Sequence, residues 1–331
     1  MPEVSLKAMS WNLYAGGDVS RVINADQAVL PSRMADLWAM VQRTDFRSRA
    51  RVIADRVCAA APDVVGLQEV LRWSTVQRRP LRDGGPEERV ECDFLAVLIE
   101  ALRARGEEYF AAVRTFGVDV VIPMEGGPDV RLQDSVAILL RAGKGSEWAW
   151  EKPRQGRFSA NLTVKLDGEP FVIARGWNSV DLRQGEGVVR VINTHLEYFD
   201  PAVQPAQVQE ILDGPASVAG PLIWMGDFNC TPDSPRNTWQ RLQALGYRDV
   251  WTAENGPGLT SSQAEDLANL QPAEYERIDW ILCRGQVRVC AAGLLGNDVR
   301  TPEGLWPSDH FGVHASLAVT LDAARPRAAA A

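Results

Sequence analysis

The sequence predicts a mixed α/β protein in which two mainly antiparallel sheets pack together and helices flank them. Short apolar runs recur at close spacing with turn residues between them, a pattern that is typical of antiparallel strands. The two halves of the chain also repeat the same order of strands, helix and strands. Finally, several apolar runs end in short polar motifs, as strands do when they present side chains to a site.

The first half of the chain alternates between strands and helices that differ in apolar spacing. Apolar residues that alternate with polar ones indicate strands, and apolar residues three or four positions apart indicate helices. In chain order the pattern predicts a strand over 4–13, helices over 25–41 and 46–61, a strand over 64–67, a charged loop over 78–91 and a helix over 94–105.

The rest of the chain is richer in strands. The pattern predicts strands over 111–116, 118–122, 135–140, 162–166, 171–176 and 188–193, a helix over 203–212, a strand over 222–225, a helix over 235–245, and strands over 278–283, 287–294 and 313–321. No stretch has the composition of a linker, so we expect one domain over residues 1–321. The Ala-, Arg- and Pro-rich tail over 322–331 is expected to be disordered.

The charge balance limits the classes of partner. The chain has 331 residues and a net charge of −8, whereas tight binding of duplex DNA depends mainly on Lys and Arg contacts to phosphates. Acidic metal ligands would add to the negative count, so a local basic patch stays open. The stretch from Arg43 to Arg56, with Arg47, Arg49 and Arg51, is the best candidate, and a solvated helix face is the alternative.

Cysteine usage and hydropathy predict a cytoplasmic protein. The five cysteines are odd in number and scattered without CxxC spacing, which indicates reduced thiols. The apolar segment from Val4 to Leu13 contains Lys7 and Asn12 and is too short for a secretory signal. No stretch is long and apolar enough for a transmembrane helix. The sequence does not indicate an oligomeric state.

Six short polar motifs carry the functional prediction. They are Trp11-Asn12-Leu13, Leu67-Gln68-Glu69-Val70, Asn193-Thr194-His195-Leu196-Glu197, Gly226-Asp227-Phe228-Asn229, Arg277-Ile278-Asp279-Trp280 and Ser308-Asp309-His310. If one site contains both Asn12 and His310, the two ends of the chain must meet.

These motifs, in this order, resemble those of the endonuclease/exonuclease/phosphatase superfamily. Its branches include deoxyribonuclease I, abasic-site endonucleases, neutral sphingomyelinases and inositol-polyphosphate phosphatases. The resemblance runs from about Lys7 to about Leu321 and implies a four-layer α/β/β/α sandwich like that of deoxyribonuclease I. It is specific for fold and reaction type and less so for substrate, because one fold hosts many functions.

The resemblance implies phosphoester hydrolysis assisted by Mg²⁺ or Mn²⁺. Carboxylates and amides at separate strand ends suit such hard cations better than zinc. Glu69 resembles the metal-binding Glu of the superfamily, and Asn12 resembles the Asn that supports metal or phosphate. Asp309 resembles the residue that approaches the metal from the far side of the site.

The resemblance also implies the catalytic residues. Asp227 would orient or deprotonate the attacking water, and Asn229 would donate to the phosphate. Asp279 and His310 resemble a pair in which the carboxylate fixes the imidazole. The general base is either Asp227 or His310.

His195 places the chain nearer the superfamily branches that have two histidines. It would stabilise the phosphate or protonate the leaving oxygen. Arg175 is a candidate phosphate contact, with an ion pair to a carboxylate as the alternative. We therefore expect an enzyme that acts on nucleic acid, nucleotides or another small phosphodiester. A sphingomyelinase-like lipid enzyme ranks third, and a binding module without activity is the alternative of another class.

Overall fold

Two β-sheets packed face to face form the centre of this computed structural model, which describes residues 3–77, 85–143, 147–261, 263–273 and 275–321. In chain order the strands are β1 (Glu3–Asn12), β2 (Val64–Gln68), β3 (Arg72–Gln77), β4 (Glu87–Asp93), β5 (Tyr109–Ile122), β6 (Asp129–Arg141), β7 (Ala149–Arg157), β8 (Leu162–Leu166), β9 (Glu169–Ile173), β10 (Gly176–Gln184), β11 (Gly187–His195), β12 (Leu222–Asp227), β13 (Arg248–Asp249), β14 (Asp279–Arg284), β15 (Val287–Leu295) and β16 (Gly312–Thr320). The helices are α1 (Leu30–Arg43), α2 (Phe46–Ala60), α3 (Phe94–Arg103), α4 (Val203–Asp213) and α5 (Thr238–Ala244).

Each large sheet contains one parallel pair of strands among antiparallel neighbours. The first sheet has the order β15-β16-β1-β2-β6-β3-β4, with β5 also paired to β6, and its parallel pair is β1 with β2. The second sheet has the order β13-β14-β12-β11-β10-β7, and its parallel pair is β11 with β12. A separate hairpin is formed by β8 and β9. The two parallel pairs end close together and position the site described below.

Three apolar layers hold the helices and sheets together. Helices α1, α2 and α3 pack on the outer face of the first sheet around residues such as Leu37, Ile53 and Leu98. Side chains from both sheets form the central layer, and α4 and α5 cover the outer face of the second sheet. This arrangement is the predicted four-layer α/β/β/α sandwich, and it fits alternating strands with both faces buried.

One buried polar link joins the two sheets within the central layer. Gln68 Nε2 on β2 donates to Asn193 Oδ1 on β11 at 2.6 Å, and Asn193 Nδ2 donates to the carbonyl of Leu67 at 3.1 Å. At Gly66 an added Cβ would lie 2.7 Å from Asn193 Oδ1, so the sheets approach closely there. Because buried polar groups need partners, this link fixes the register of one sheet on the other.

Five strands of the described residues were not predicted: β3, β4, β7, β10 and β13. Of these, β4, β7 and β13 are end strands, whereas β3 and β10 lie inside their sheets. Strand β4 occupies part of the predicted loop 78–91, of which residues 78–84 lie outside the described part of the chain. Strand β7 was also not predicted. Both are end strands of their sheets and carry charged residues, which protect an edge and hide the apolar pattern. The strands predicted over 111–116 and 118–122 form the single strand β5, whose pairing shifts register twice.

Arg49 belongs neither to a basic patch between Arg43 and Arg56 nor to a solvated helix face, although Arg43, Arg47 and Arg51 are exposed. Its side chain is wholly buried on α2 and donates to the carbonyls of Leu13, Tyr14 and Pro307 at 2.7–3.2 Å. Burial lowers the pKa of Arg49 to about 10. The guanidinium therefore fastens two loops to the helix and is not available to a polyanion.

Expectations from the sequence also concern the C-terminal tail, the cysteines and membrane-spanning helices. The predicted tail at 322–331 lies outside the described residues. The five cysteines are free thiols, as expected. In the described part of the chain, no helix is long and apolar enough to cross a membrane.

Candidate active site

The predicted site residues meet where the two parallel strand pairs end. Asn12 of β1 lies opposite Gln68 of β2, and His195 of β11 lies opposite Asp227 of β12. Carboxyl ends of parallel strands meet at one edge of a sheet. Because the two sheets are packed together, both ends open into one cleft, as the sequence predicted for the two ends of the chain.

Asn12 connects the carboxylates of Glu69 and Asp227. Its Nδ2 donates to Glu69 Oε1 at 3.1 Å and to Asp227 Oδ2 at 3.0 Å, and its Oδ1 accepts from the backbone of Tyr14 at 2.9 Å. Glu69 Oε2 also accepts from the backbone N–H of Ala15 at 2.6 Å. Every polar atom of the Asn12 amide is thus used to hold neighbouring groups in place.

Asp227 is the centre of the cluster. Its Oδ1 accepts from the backbone N–H of Asn229 at 2.9 Å, and its Oδ2 faces His195 Nε2 at 3.4 Å. Burial and the charge of Asp279 raise the pKa of Asp227 to about 7, partly offset by His310 and the Asn12 amide. The Asn229 amide donates to the carbonyl of Leu196 at 2.9 Å, so in this structure it positions the loop.

Backbone geometry at the site allows little variation. Gly226 has φ +149°, and a Cβ there would lie 2.0 Å from the carbonyl oxygen of Thr194, so only glycine lets β12 approach β11. Three other residues at the site take positive φ: Tyr14 at 60°, Glu69 at 48° and Asn229 at 50°. Such strained residues persist only where surrounding contacts determine them, and they concentrate at functional sites.

His310 and Asp279 form the predicted pair. His310 Nδ1 lies 2.7 Å from Asp279 Oδ2. Burial opposes protonation of His310, but the carboxylates of Asp279, Asp309 and Asp227 outweigh it and raise its pKa well above the ordinary value. The imidazolium is therefore the favoured form, and its Nε2 points toward Asp227 Oδ2 at 4.0 Å.

His195 differs from His310 in its protonation state. Burial lowers the pKa of His195 well below the ordinary value, and the charges of Arg175 and His310 lower it further. Its Nε2 faces Asp227, while its buried Nδ1 has no hydrogen-bond partner among the described residues. The site therefore combines one neutral imidazole with one imidazolium.

Arg175 forms an ion pair with a carboxylate, which the sequence analysis gave as the alternative to a phosphate contact. Its Nε lies 3.5 Å from Oε2 of the fully buried Glu197. Glu197 Oε1 in turn accepts from the backbone of Tyr198 and Phe199 at 2.9 and 2.8 Å. Arg175 nevertheless lines the same cleft as Glu69 and His195, so a phosphate contact stays a prediction.

Two further carboxylates border the cleft. Burial and the charge of Glu69 raise the pKa of Asp134 to about 7, against the effect of Arg175. Burial also raises the pKa of Asp309 to about 7. The positive charge of His310 opposes this rise, and the negative charge of Glu69 adds to it. These shifts reflect the burial of both carboxyl groups first, and the negative charge of the neighbouring Glu69 second.

The donor set fits a hard divalent cation. Carboxylate oxygens of Asp227 and Asp279 and a nitrogen of His310 lie within 4.8 Å of one another. These three residues differ from the predicted ligands Asn12, Glu69 and Asp309. In addition, the imidazole of His310 is already hydrogen-bonded to Asp279. The favoured imidazolium would repel a cation, whereas the side around Glu69 offers carboxylate oxygens, which Mg²⁺ prefers. Asn12 presents its Nδ2 there, so in this structure it orients Glu69. The excess of carboxylates there is the charge that such an ion would offset.

Several positioning residues escaped the sequence analysis. Ser308 Oγ donates to the carbonyl of Asn12 at 2.7 Å and accepts from the backbone of His310 at 3.1 Å, so it ties the two chain ends together. Thr260 Oγ1 accepts from the backbone N–H groups of Ile278 and Asp279, both at 3.2 Å. Ser308 is part of a predicted motif but received no role from it, and nothing in the sequence near Thr260 pointed to the site.

The sequence matches a known family over most of its length. The model of the Endonuclease/Exonuclease/phosphatase family matches residues 9–310. A search of curated proteins found no significant match.

Solved structures give the same fold at low sequence identity. A family protein from Bacteroides thetaiotaomicron has a TM-score of 0.59 and 19% identity, with 97% of each chain covered. One from Bacteroides vulgatus has a TM-score of 0.58 and 16% identity, with 96% of this chain and 100% of that chain covered. TDP2 from D. rerio, in complex with a single-strand DNA product, has a TM-score of 0.56 and 16% identity, with 95% and 98% covered. By the family match and by its fold, this chain belongs to the endonuclease/exonuclease/phosphatase family.

Proposed function

We propose that this protein is a divalent-metal-dependent phosphoester hydrolase in which water attacks phosphorus in line with the leaving oxygen. The observation that carries the proposal is the convergence of groups on one atom, Asp227 Oδ2. Asn12 Nδ2 lies 3.0 Å from it, His195 Nε2 lies 3.4 Å from it and His310 Nε2 lies 4.0 Å from it. A carboxylate surrounded by such donors can hold a water and place it against a phosphate bound by the same donors.

We assign Asp227 as the general base in preference to His310. A base works best when its pKa lies near the working pH, and burial with the nearby Asp279 charge raises the pKa of Asp227 to about 7. His310 favours the imidazolium form, which cannot accept a proton. It is suited to stabilise the negative charge that develops on the phosphoryl oxygens, with Asp279 holding its orientation.

The remaining residues bind the phosphate and the cation. A bound Mg²⁺ or Mn²⁺ would polarise a phosphoryl oxygen and offset the charge of the cleft. Glu69 and Asp309 would hold it, and Asn12 would support the site by orienting Glu69 through its Nδ2. Neutral His195 is placed to donate a hydrogen bond to phosphate through Nε2 once substrate displaces its contact with Asp227. Asn229 would contribute its second amide hydrogen, and Arg175 a positive charge.

Nucleic acids and small phosphodiesters remain the two leading substrate classes. The similarity of fold to TDP2 bound to a single-strand DNA product favours a short or single-stranded nucleic acid. The net charge of −8 and the burial of Arg49 weigh against tight duplex binding.

A lipid enzyme would need exposed aromatic side chains near the site. The candidates are Trp38, Trp73, Trp148, Trp150 and Trp306. Of these, Trp73 and Trp306 are buried and Trp150 is 43% exposed. Lipid therefore stays third.

Hydrolysis assays with purified protein test the proposal. The substrates are bis-p-nitrophenyl phosphate, p-nitrophenyl phosphate, plasmid, single-stranded DNA and sphingomyelin, each with Mg²⁺, Mn²⁺ or EDTA. We expect cation-dependent cleavage of at least one phosphodiester, lost in His310→Ala and in Asp227→Asn. Cleavage that is unchanged in both variants would overturn the mechanism. No turnover of any substrate, with phosphate analogues still bound, would favour the binding module.

A further inference from the structure

An apolar pocket of about 120 Å³ opens beside the catalytic cluster. All but four of the residues that line it are apolar, and the four exceptions are Glu69, Asp134, Arg175 and His195. Those four belong to the cluster described above or border it. The pocket is therefore continuous with the place where the phosphate would be bound.

Two facing walls of the pocket come from β5 and from the hairpin of β8 and β9. Strand β5 contributes Val118 and Val120, and the hairpin of β8 and β9 contributes Leu166 and Ile173. Along each strand the alternate residues point away: Val121 is 44% exposed and Val172 is 50% exposed. Such alternation is typical of a strand that turns one face toward apolar groups. No side chain of the described residues fills the pocket that these faces enclose.

Hydrogen bonds fasten the hairpin that closes the pocket. The backbone of Asn24, in the loop before α1, donates to the carbonyl of Lys165 at 2.8 Å, and Asn24 Oδ1 accepts from the backbone of Lys165 at 2.8 Å. Gln27 donates to the carbonyl of Asp167 at 2.6 Å. At the mouth of the pocket stands Phe199, which is 55% exposed. The wall is thus a built part of the fold with an aromatic ring at its entrance.

An apolar space left unfilled in a protein lowers its stability, because the lining atoms lose packing partners. Apolar cavities of similar size bind groups such as benzene. Glu69, Arg175 and His195 line the pocket and also belong to the catalytic cluster or border it. An ester group of a phosphoester bound at the cluster would therefore lie next to the pocket.

We infer that the pocket is a specificity subsite for an apolar ester group, the size of a phenyl ring or a short alkyl chain, attached to the phosphate of the substrate. This inference rests on the proposed function, since the phosphate site anchors the ligand. It narrows the substrate class to phosphoesters with one aryl or alkyl arm. A substrate that is polar on both sides of the phosphate would leave the pocket empty.

Binding of phosphonates tests the subsite without requiring turnover. Methylphosphonate, phenylphosphonate and n-hexylphosphonate are titrated into the protein with Mg²⁺ by calorimetry. We expect one or both larger ligands to bind at least about tenfold more tightly than methylphosphonate, because they bury an apolar group. The better of the two distinguishes an aryl arm from an alkyl arm.

Two neighbouring valines provide the matched variants. Val120→Thr places a hydroxyl in the pocket at nearly constant volume and should reduce the preference for the larger ligands several-fold. Val121→Thr makes the same change on the exposed face of β5 and should leave the preference unchanged. Thermal unfolding confirms that both variants are folded.

The outcomes separate the subsite from the proposed function. Equal binding of all three phosphonates would overturn the subsite and leave the phosphate site standing. An equal effect of both threonine variants would also overturn it. Absence of binding by every phosphonate would overturn the proposed function and the subsite together.

Discussion

Asp279 Oδ2 lies 2.7 Å from His310 Nδ1, and this contact joins the second sheet to the motif that precedes β16. The carboxylate favours the imidazolium, and with Asp309 and Asp227 it raises the pKa of His310 in spite of burial. The other ring nitrogen is left to face Asp227. The protonation state of the site is thus set by a residue that need not touch substrate.

Asp279→Asn should lower kcat by about 10²- to 10⁴-fold, because the amide keeps the shape but no longer stabilises the imidazolium. Initial rates on the best substrate from the panel above give kcat and KM. Asp233→Asn, an exposed carboxylate in the loop after Asn229, serves as the control. A kcat for Asp279→Asn within about twofold of wild type would contradict the role of the pair.

His195 is expected to act as a neutral hydrogen-bond donor, since burial lowers its pKa well below the ordinary value. His195→Gln keeps a neutral donor and should retain more activity than His195→Ala, which should lose about 10²-fold or more. Comparison of kcat for the two variants is the measurement. Equal losses in the two variants would contradict the prediction that a neutral hydrogen-bond donor is sufficient at this position.

Glu69 is expected to hold the cation, so Glu69→Gln should raise the Mg²⁺ concentration for half-maximal rate by about tenfold or more. EDTA should abolish the activity of the wild type, and added Mg²⁺ should restore it. Glu125→Gln, at an exposed glutamate before β6, is the matched control. A Glu69→Gln curve that overlays the wild type would exclude Glu69 as a ligand.

The sequence was informative about the site because catalytic residues lie at the ends of buried strands. Each motif combined an apolar run with polar residues that burial alone does not explain, and Asn12, His195, Asp227 and His310 do meet in one cleft. The resemblance supplied their expected roles. Those roles themselves stay predictions.

The remainder depends on contacts that no local pattern encodes. Strands β4 and β7 were missed because edge strands are charged. Arg49 looked like part of a basic helix face, yet its partners are carbonyls more than thirty positions away in Leu13 and Pro307. The apolar pocket is assembled from β5 and a distant hairpin, so its existence follows from tertiary packing and not from spacing.

Asp63 provides a test of stability against pH away from the site. Burial raises the pKa of Asp63, and its hydrogen bond from the backbone of Lys7 at 2.8 Å opposes the rise. The folded state therefore binds this proton more tightly than the unfolded state does. Stability from this group falls as pH rises from the unfolded pKa of about 4 through the folded pKa.

Asp63→Asn removes that titration and can keep the hydrogen bond from Lys7. Relative to wild type, Asp63→Asn should increase the free energy of unfolding more at pH 7 than at pH 3. Urea unfolding at both pH values measures this difference. Asp36→Asn on the exposed face of α1 is the control. A larger stabilisation at pH 3 than at pH 7 would refute the prediction that folding raises the pKa of Asp63.

Arg49 is expected to stabilise both the fold and the site. Its guanidinium donates to the carbonyls of Leu13, Tyr14 and Pro307, and its Nε donates to that of Thr44 at 2.8 Å. Arg49→Met leaves these acceptors unpaired in the interior and should lower the free energy of unfolding by on the order of 3 kcal/mol. Urea unfolding measures the loss. Arg51→Met, at an exposed position two residues further along α2, should change stability by less than about 0.5 kcal/mol. Since Pro307 precedes the Ser308-Asp309-His310 motif, kcat at a temperature where Arg49→Met remains folded should fall as well. A stable Arg49→Met protein with full activity would mean that packing alone holds the two loops.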